Sequence, residues 1–370
     1  MDRRDFLVRG GRLACAAAVG ASLPAISTSL ETGVEQVYRR AVVIDSLGSP
    51  LVNDEMPPRK EELEQVAQAG VTAVHDTVSH EGFEATVKAI AYIEVLVEKD
   101  PARWLIVRRI SDVDRAKREG KTGIIMGFQF TAPIEGDSSR IETFRRLGVR
   151  IMQLTYNNRS NFGDGCLEPR NAGLTKEGRA AIEQMNTLGV AVDLSHCGHQ
   201  TTKEGLEASQ KPPLITHSGC SAVYDHPRNK YDSELKLMAD RGGYVGIYLM
   251  PYLVASPTPP TKEIVLSHIT HALNVCGTQH VGIGSDGAIP AYPDTPEARK
   301  RTAEIIESRR KAGIAAPGED RPPLVADLNT PRRYEIIAGE LNRRGYSDSV
   351  VEGVLGGNFY RVLGEIWGQA

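Results

Sequence analysis

The most constraining feature of this chain is its alternation between two periodicities. From Ala41 onward, short runs rich in valine, isoleucine and leucine alternate with amphipathic segments of helical spacing. The runs at 41–45, 71–77, 104–109, 123–128, 149–155, 190–195, 213–217, 244–249 and 280–285 read as strands. Most are continuously apolar, the pattern of parallel strands covered on both faces. Helical patterns at 60–69, 83–99, 175–188 and 264–275 lie between them. Gly70, Gly148, Gly189 and Gly277 stand where a residue ending a helix is expected. Repeated strand–helix units give a parallel sheet, and this many strands favour closure into a barrel. The expected fold is therefore α/β, a single (β/α)8 TIM-type barrel. Nine runs exceed eight barrel positions, and 104–109, which ends in Arg108 and Arg109, is expected outside the ring. A charged helix over 296–312 should follow, then a Pro-rich loop at 317–323 read as a solvated connection, with a lid the alternative, then two C-terminal helices.

Composition excludes several classes. A net charge of -3 over 370 residues provides no basic stripe for nucleic acid. No apolar run reaches the ~18 residues of a membrane-spanning helix. At the N-terminus, Arg3-Arg4 precedes a mildly apolar stretch, and Ala21, Ala25 and Ser27 are small enough for signal cleavage. This resembles a Tat-type signal over 1–27, which implies the Tat export machinery as a partner, a periplasmic or exported location, and a barrel domain over 28–370. Cys166, Cys197, Cys220 and Cys276 are too scattered for a disulfide framework and read as small buried residues. A homodimer is one assembly that the sequence leaves open.

Chemistry on such a barrel sits where the strands end. His196 closes Val-Ala-Val-Asp-Leu-Ser-His, His217 closes Pro-Leu-Ile-Thr-His, and Asp286 closes His-Val-Gly-Ile-Gly-Ser-Asp. Neutral imidazole is the commonest protein ligand of zinc, and a neighbouring aspartate can shuttle a proton between water and a leaving amine. Two histidines and an aspartate, each ending a β-run, therefore point to a metal-assisted site.

These residues lie in a set of motifs that resembles the membrane (renal) dipeptidase family. Asp193-Leu194-Ser195-His196, Thr216-His217-Ser218, Asp225-His226-Pro227-Arg228-Asn229 and Gly282-Ile283-Gly284-Ser285-Asp286 look like its signature segments. The likeness continues through Leu154-Thr155-Tyr156-Asn157, Gly173-Leu174-Thr175 and Gly357-Asn358-Phe359. It implies a metallo-dependent hydrolase-like barrel that cleaves dipeptides with two zinc ions. On the matching positions, His196 and His217 would ligate metal, Asp286 would be the general acid/base, and Arg228, beside Asn229, would hold the substrate carboxylate.

The chain departs from the family pattern at three places. Asp45-Ser46-Leu47-Gly48-Ser49 stands where the family has Asp-x-His-x-Asp, Gln129 where it has a bridging glutamate, and Tyr156 where the renal enzymes have a substrate-binding histidine. A neutral amide binds zinc weakly. The expectation is one zinc ion at His196 and His217, with Gln129 the third position and His75, Asp76, Asp45 or Asp54 as replacement donors. The expected function is hydrolysis of a dipeptide-like amide. A non-peptidase tailoring enzyme for a peptide-derived metabolite, and a carboxylate-binding protein without turnover, are the alternatives.

Overall fold

Nine strands form one sheet in the computed structural model of the protein, which describes residues 28–52, 56–134 and 136–368. The export-signal reading, on 1–27, and the candidate donor Asp54 lie outside the described residues. The strands are β1 (Ile44–Gly48), β2 (Ala73–Thr77), β3 (Trp104–Ile106), β4 (Thr122–Phe128), β5 (Ile151–Gln153), β6 (Ala191–Asp193), β7 (Leu214–Ser218), β8 (Tyr244–Ile247) and β9 (Val281–Ile283). Eight of them run parallel in the order β1-β2-β4-β5-β6-β7-β8-β9. The ring closes just past the ends of β1 and β9, where Asp286 donates its N–H to Leu47 O at 2.8 Å and Ser49 to Gly287 O at 2.9 Å. This is the expected barrel, with the expected surplus strand. β3 pairs only with the start of β4, Trp104 opposite Thr122, and β5 takes that edge of β4 farther on, Ile151 opposite Gly127.

Alternation along the strands separates an inner from an outer layer. Ile44, Ala73, Ile125, Ile151, Ala191, Leu214 and Tyr244 cluster with Phe359, Val362 and Leu363 of the helix Asn358–Trp367, which packs against the barrel interior. Val74, Met126, Met152, Val192, Ile215 and Val245 point the other way, into the larger core shared with the surrounding helices. Two sequence expectations need revision. β1 begins at Ile44 rather than Ala41, because helix Thr28–Arg40 extends its hydrogen bonding through Ala41, whose N–H reaches Val37 O at 3.0 Å. The strand therefore contains the polar residues Asp45 and Ser46. The second C-terminal helix is split in two, Asp348–Glu352 and Asn358–Trp367, across a kink at Gly356, whose backbone is non-helical with φ 162° and ψ -15°.

Candidate active site

The strand ends bring His196, His217, Gln129 and Asp286 together. His196 and His217 face each other with their Nε2 atoms 2.9 Å apart. Gln129, one residue beyond β4, places its Nε2 3.4 Å from His217 Nε2 and donates to Asp286 Oδ1 at 3.2 Å. Asp286 holds φ at +55°, in the left-handed region that aspartate tolerates better than most residues. Such backbone at a strand end re-aims a side chain and is frequent at functional positions.

The two imidazoles are oriented from behind. Asn157 donates from Nδ2 to Ile314 O at 2.8 Å, so its Oδ1 is turned to accept from His196 Nδ1 at 2.7 Å. Thr216 donates its hydroxyl to Asp193 Oδ2 at 2.6 Å and is left to accept from His217 Nδ1 at 2.9 Å. Asp193 also accepts from the Ser195 and Thr216 N–H groups, at 3.1 and 3.0 Å, which locks the ends of β6 and β7 in one register. Each ring thus has its Nδ1 held from behind and its Nε2 turned to a shared point, the second-layer support typical of metal-ligating histidine. Burial, then the positive charge of Arg228 and the neighbouring His217, hold the His196 imidazole well below the usual histidine range, so it is neutral near pH 7.

Arg228 lies in the loop after β7 and is only 1% exposed. It donates to Ser195 O at 2.6 Å and His217 O at 3.4 Å, and its guanidinium lies 5.7 Å from the Tyr248 ring centre. Among the described residues no carboxylate lies within ion-pairing distance of it. A buried cation without an acidic partner is costly, which marks a place where an anionic ligand is favoured. Arg228 lines a cavity at the barrel mouth together with His196, Tyr156 and Asp286. The Tyr156 ring stacks on His196, with centres 4.2 Å apart and planes at 21°. Burial pushes its phenol up, so it remains a hydrogen-bond donor. Asn229, expected beside the substrate, is instead fully buried. It accepts from the Tyr248 hydroxyl at 2.6 Å and donates to Tyr224 O at 2.8 Å, which shapes the loop that carries Arg228.

The end of β1 takes a structural role. Asp45 accepts from the Ser285 N–H at 2.8 Å, the Ser285 hydroxyl and the Tyr334 hydroxyl at 2.6 Å. Ser46 donates to Thr216 O at 2.7 Å, Leu47 is buried and apolar, and Ser49 donates to Asp76 Oδ1 at 3.0 Å. His75 is sealed inside the barrel, with Nδ1 2.7 Å from Ser46 O and Nε2 in space that a Cβ on Gly127 would fill. These replacement candidates are thus not gathered with the histidine pair. Among the described residues, no three His, Cys, Asp or Glu side chains are placed to hold a metal ion. The donor set that does converge is two imidazoles on one point with an amide beside them, residues that could hold a cation.

Two contributors escape the strand-end logic. The helix Pro296–Lys311 and the loop after it roof the cavity, with Arg309 5.5 Å from the Tyr156 ring centre and ion-paired to Glu319. Ala316, Glu319 and Arg321 line the cavity, so the loop expected as a solvated connection is part of the site.

Comparison with known proteins places this arrangement. The family pattern for membrane dipeptidases, peptidase family M19, matches residues 51–315. The chain belongs to this family, and membership implies a metal cofactor. Dipeptidase verJ of Clonostachys rogersoniana is 28% identical over 293 residues, 78% of this chain and 66% of that protein. For dipeptidase tcpJ of Claviceps purpurea the identity is 28%, over 79% of this chain and 62% of that protein. The chain thus spans just under two thirds of the length of these curated relatives. Among solved structures, an amidohydrolase from Pseudomonas aeruginosa is 32% identical with a TM-score of 0.78, covering 91% of this chain and 99% of that one.

Proposed function

We propose that the protein hydrolyses the amide bond of a dipeptide or dipeptide-like compound with one zinc ion. The observation that carries this reading is Arg228, a buried guanidinium without an acidic partner among the described residues, lining the same cavity as His196 and Asp286. A free carboxylate is the ligand that its planar fork suits. The other residues then have matching tasks. Tyr156 and Arg228 hold the substrate. Asp286 takes a proton from the attacking water and returns it to the leaving nitrogen as the C–N bond breaks, which yields a carboxylate and an amine. His196 and His217 would hold the ion, which when bound supplies Lewis acidity toward the carbonyl oxygen and toward water. Gln129 would join them through Oε1, which a half-turn of its amide exchanges for Nε2.

The single-ion reading is supported by the internal hydrogen bonding of Asp45, Ser46, Ser49 and Asp76. The reading of 1–27 as an export signal to the periplasm rests on Arg3-Arg4 and the apolar stretch after it; the N-terminal mass of the secreted protein checks it. Elemental analysis of the purified chain with a dipeptide hydrolysis screen tests the activity. About one zinc per chain with release of both amino acids is expected. Absence of hydrolysis across the zinc-loaded panel would overturn the reading.

A further inference from the structure

The roof of the cavity is a single helical stripe. Thr302, Ile305, Ile306 and Arg309 recur at spacings of three and four along Pro296–Lys311, so they share a face, and all four line the cavity. Thr302 is hydrogen-bonded to the Tyr292 hydroxyl and Arg309 is paired with Glu319, which fixes the helix at both ends of the stripe. The two isoleucines between them meet an apolar wall that includes Leu249, Met250, Leu324 and Leu328. The cavity is therefore apolar at its roof and polar at its floor, where His196, Arg228 and Asp286 stand.

A second cavity lies beyond Tyr156 and Arg309, which line both. Its walls mix polar Glu81, Gln129 and Arg159 with apolar Phe130, Phe162 and Ile314. The Tyr156–Arg309 contact thus divides the mouth into an apolar chamber, roofed by the isoleucine stripe, and a second chamber of mixed lining. Asp286 belongs to the first and Gln129 to the second, joined by their 3.2 Å hydrogen bond. A bond cleaved beside Asp286 has one half in each chamber.

The chemistry decides which half goes where. The acid that protonates a leaving nitrogen must face the leaving residue, and Asp286 faces the apolar chamber. Arg228, suited to the terminal carboxylate, lines that chamber too. We infer that the apolar chamber takes the C-terminal residue of the substrate, with a bulky apolar side chain against Ile305 and Ile306, and the second chamber takes the N-terminal residue. This assignment rests on the dipeptide-hydrolase reading. The apolar chamber offers about 150 Å³, the volume of an apolar cavity that accepts a benzene ring, which suits leucine or phenylalanine.

The test is calorimetric titration of the zinc-loaded full chain, carrying Asp286→Asn to suppress turnover, with L-Ala-L-Leu, L-Ala-L-Ser and L-Leu-L-Ala. Hydrolysis of the same compounds by the unsubstituted chain is followed in parallel. L-Ala-L-Leu is expected to bind at least about tenfold more tightly than either other compound. Adding Ile305→Ser and Ile306→Ser should reduce that preference below about threefold, while Glu304→Ala should preserve it. Equal affinity for L-Ala-L-Leu and L-Leu-L-Ala, or an isoleucine double variant with its preference intact, overturns the assignment, and so does a failure of all three to bind. The expected binding order without hydrolysis by the unsubstituted chain supports the chambers and overturns the hydrolase reading. Hydrolysis without that order overturns the chambers alone.

Discussion

Replacing Arg228 with methionine separates binding from folding in a way that few substitutions at a buried position do. In the free protein the guanidinium has left water without an acidic partner among the described residues, and its compensation is two hydrogen bonds to the Ser195 and His217 carbonyls. Methionine removes those bonds, each about 1.5–3 kcal/mol for a charged donor, but also removes a desolvation penalty of several kcal/mol. The two effects nearly cancel, so unfolding stability should change by less than about 2 kcal/mol, or under about 8 °C in Tm. Binding has no such compensation. Loss of a buried charge-assisted contact to the substrate carboxylate costs about 2–4 kcal/mol, roughly 30- to 1,000-fold in kcat/KM. The assay compares a dipeptide with its C-terminal carboxamide in both proteins. The unsubstituted chain should prefer the carboxylate by that factor, and Arg228→Met should treat the two nearly alike. A variant that retains the preference would refute the role assigned to Arg228, as would a collapse of stability without a change in preference.

Asp286→Asn should keep bound zinc by elemental analysis while turnover falls about 10²- to 10⁴-fold; a near-normal rate would remove its acid/base role. His217→Ala should lose both zinc and turnover, and a variant that binds zinc stoichiometrically would show that the ion sits elsewhere. Stability should depend on acid through two other buried histidines. His226 and His268 each accept a backbone N–H at Nδ1, from Arg228 at 3.1 Å and Cys220 at 2.9 Å, and burial lowers each from 6.5 to about 4. The unfolded chain binds these protons first, so unfolding free energy should be level above about pH 6.5 and fall as pH drops toward 4, by up to roughly 3 kcal/mol per histidine, with Tm falling alongside. Thermal melts across that range check this, and His268→Gln should flatten the slope; a slope unchanged in that variant would discount its part.

What was readable in the sequence follows from where each signal is written. Continuous apolar runs record burial on both faces, so the barrel could be read directly, and the paired arginines that end 104–109 set β3 outside the ring. The register of β1 could not, because its middle is polar: Ser46 bonds within the barrel and Asp45 to Ser285 and Tyr334, and a search for apolar residues slides the strand back to Ala41. His196, His217 and Asp286 were legible because each ends an apolar run. Asn229 was not, since adjacency to Arg228 in a loop says nothing about which way a side chain turns. The roof lay within reach, as Thr302, Ile305, Ile306 and Arg309 form a stripe on an otherwise charged helix. What that stripe covers is a tertiary fact, and so is the placement of Asn157 and Thr216 behind the imidazoles.

The knot of Asp45, Ser285 and Tyr334 bears on how the protein is handled as a material. It ties the first strand, the turn after the last, and the helix Arg333–Arg343 at the seam where the ring joins, using only groups the chain itself carries. A seam fastened this way does not lean on an inorganic clasp. Chelation should therefore empty the mouth while the barrel stays shut, and the same preparation can be refilled with one ion after another.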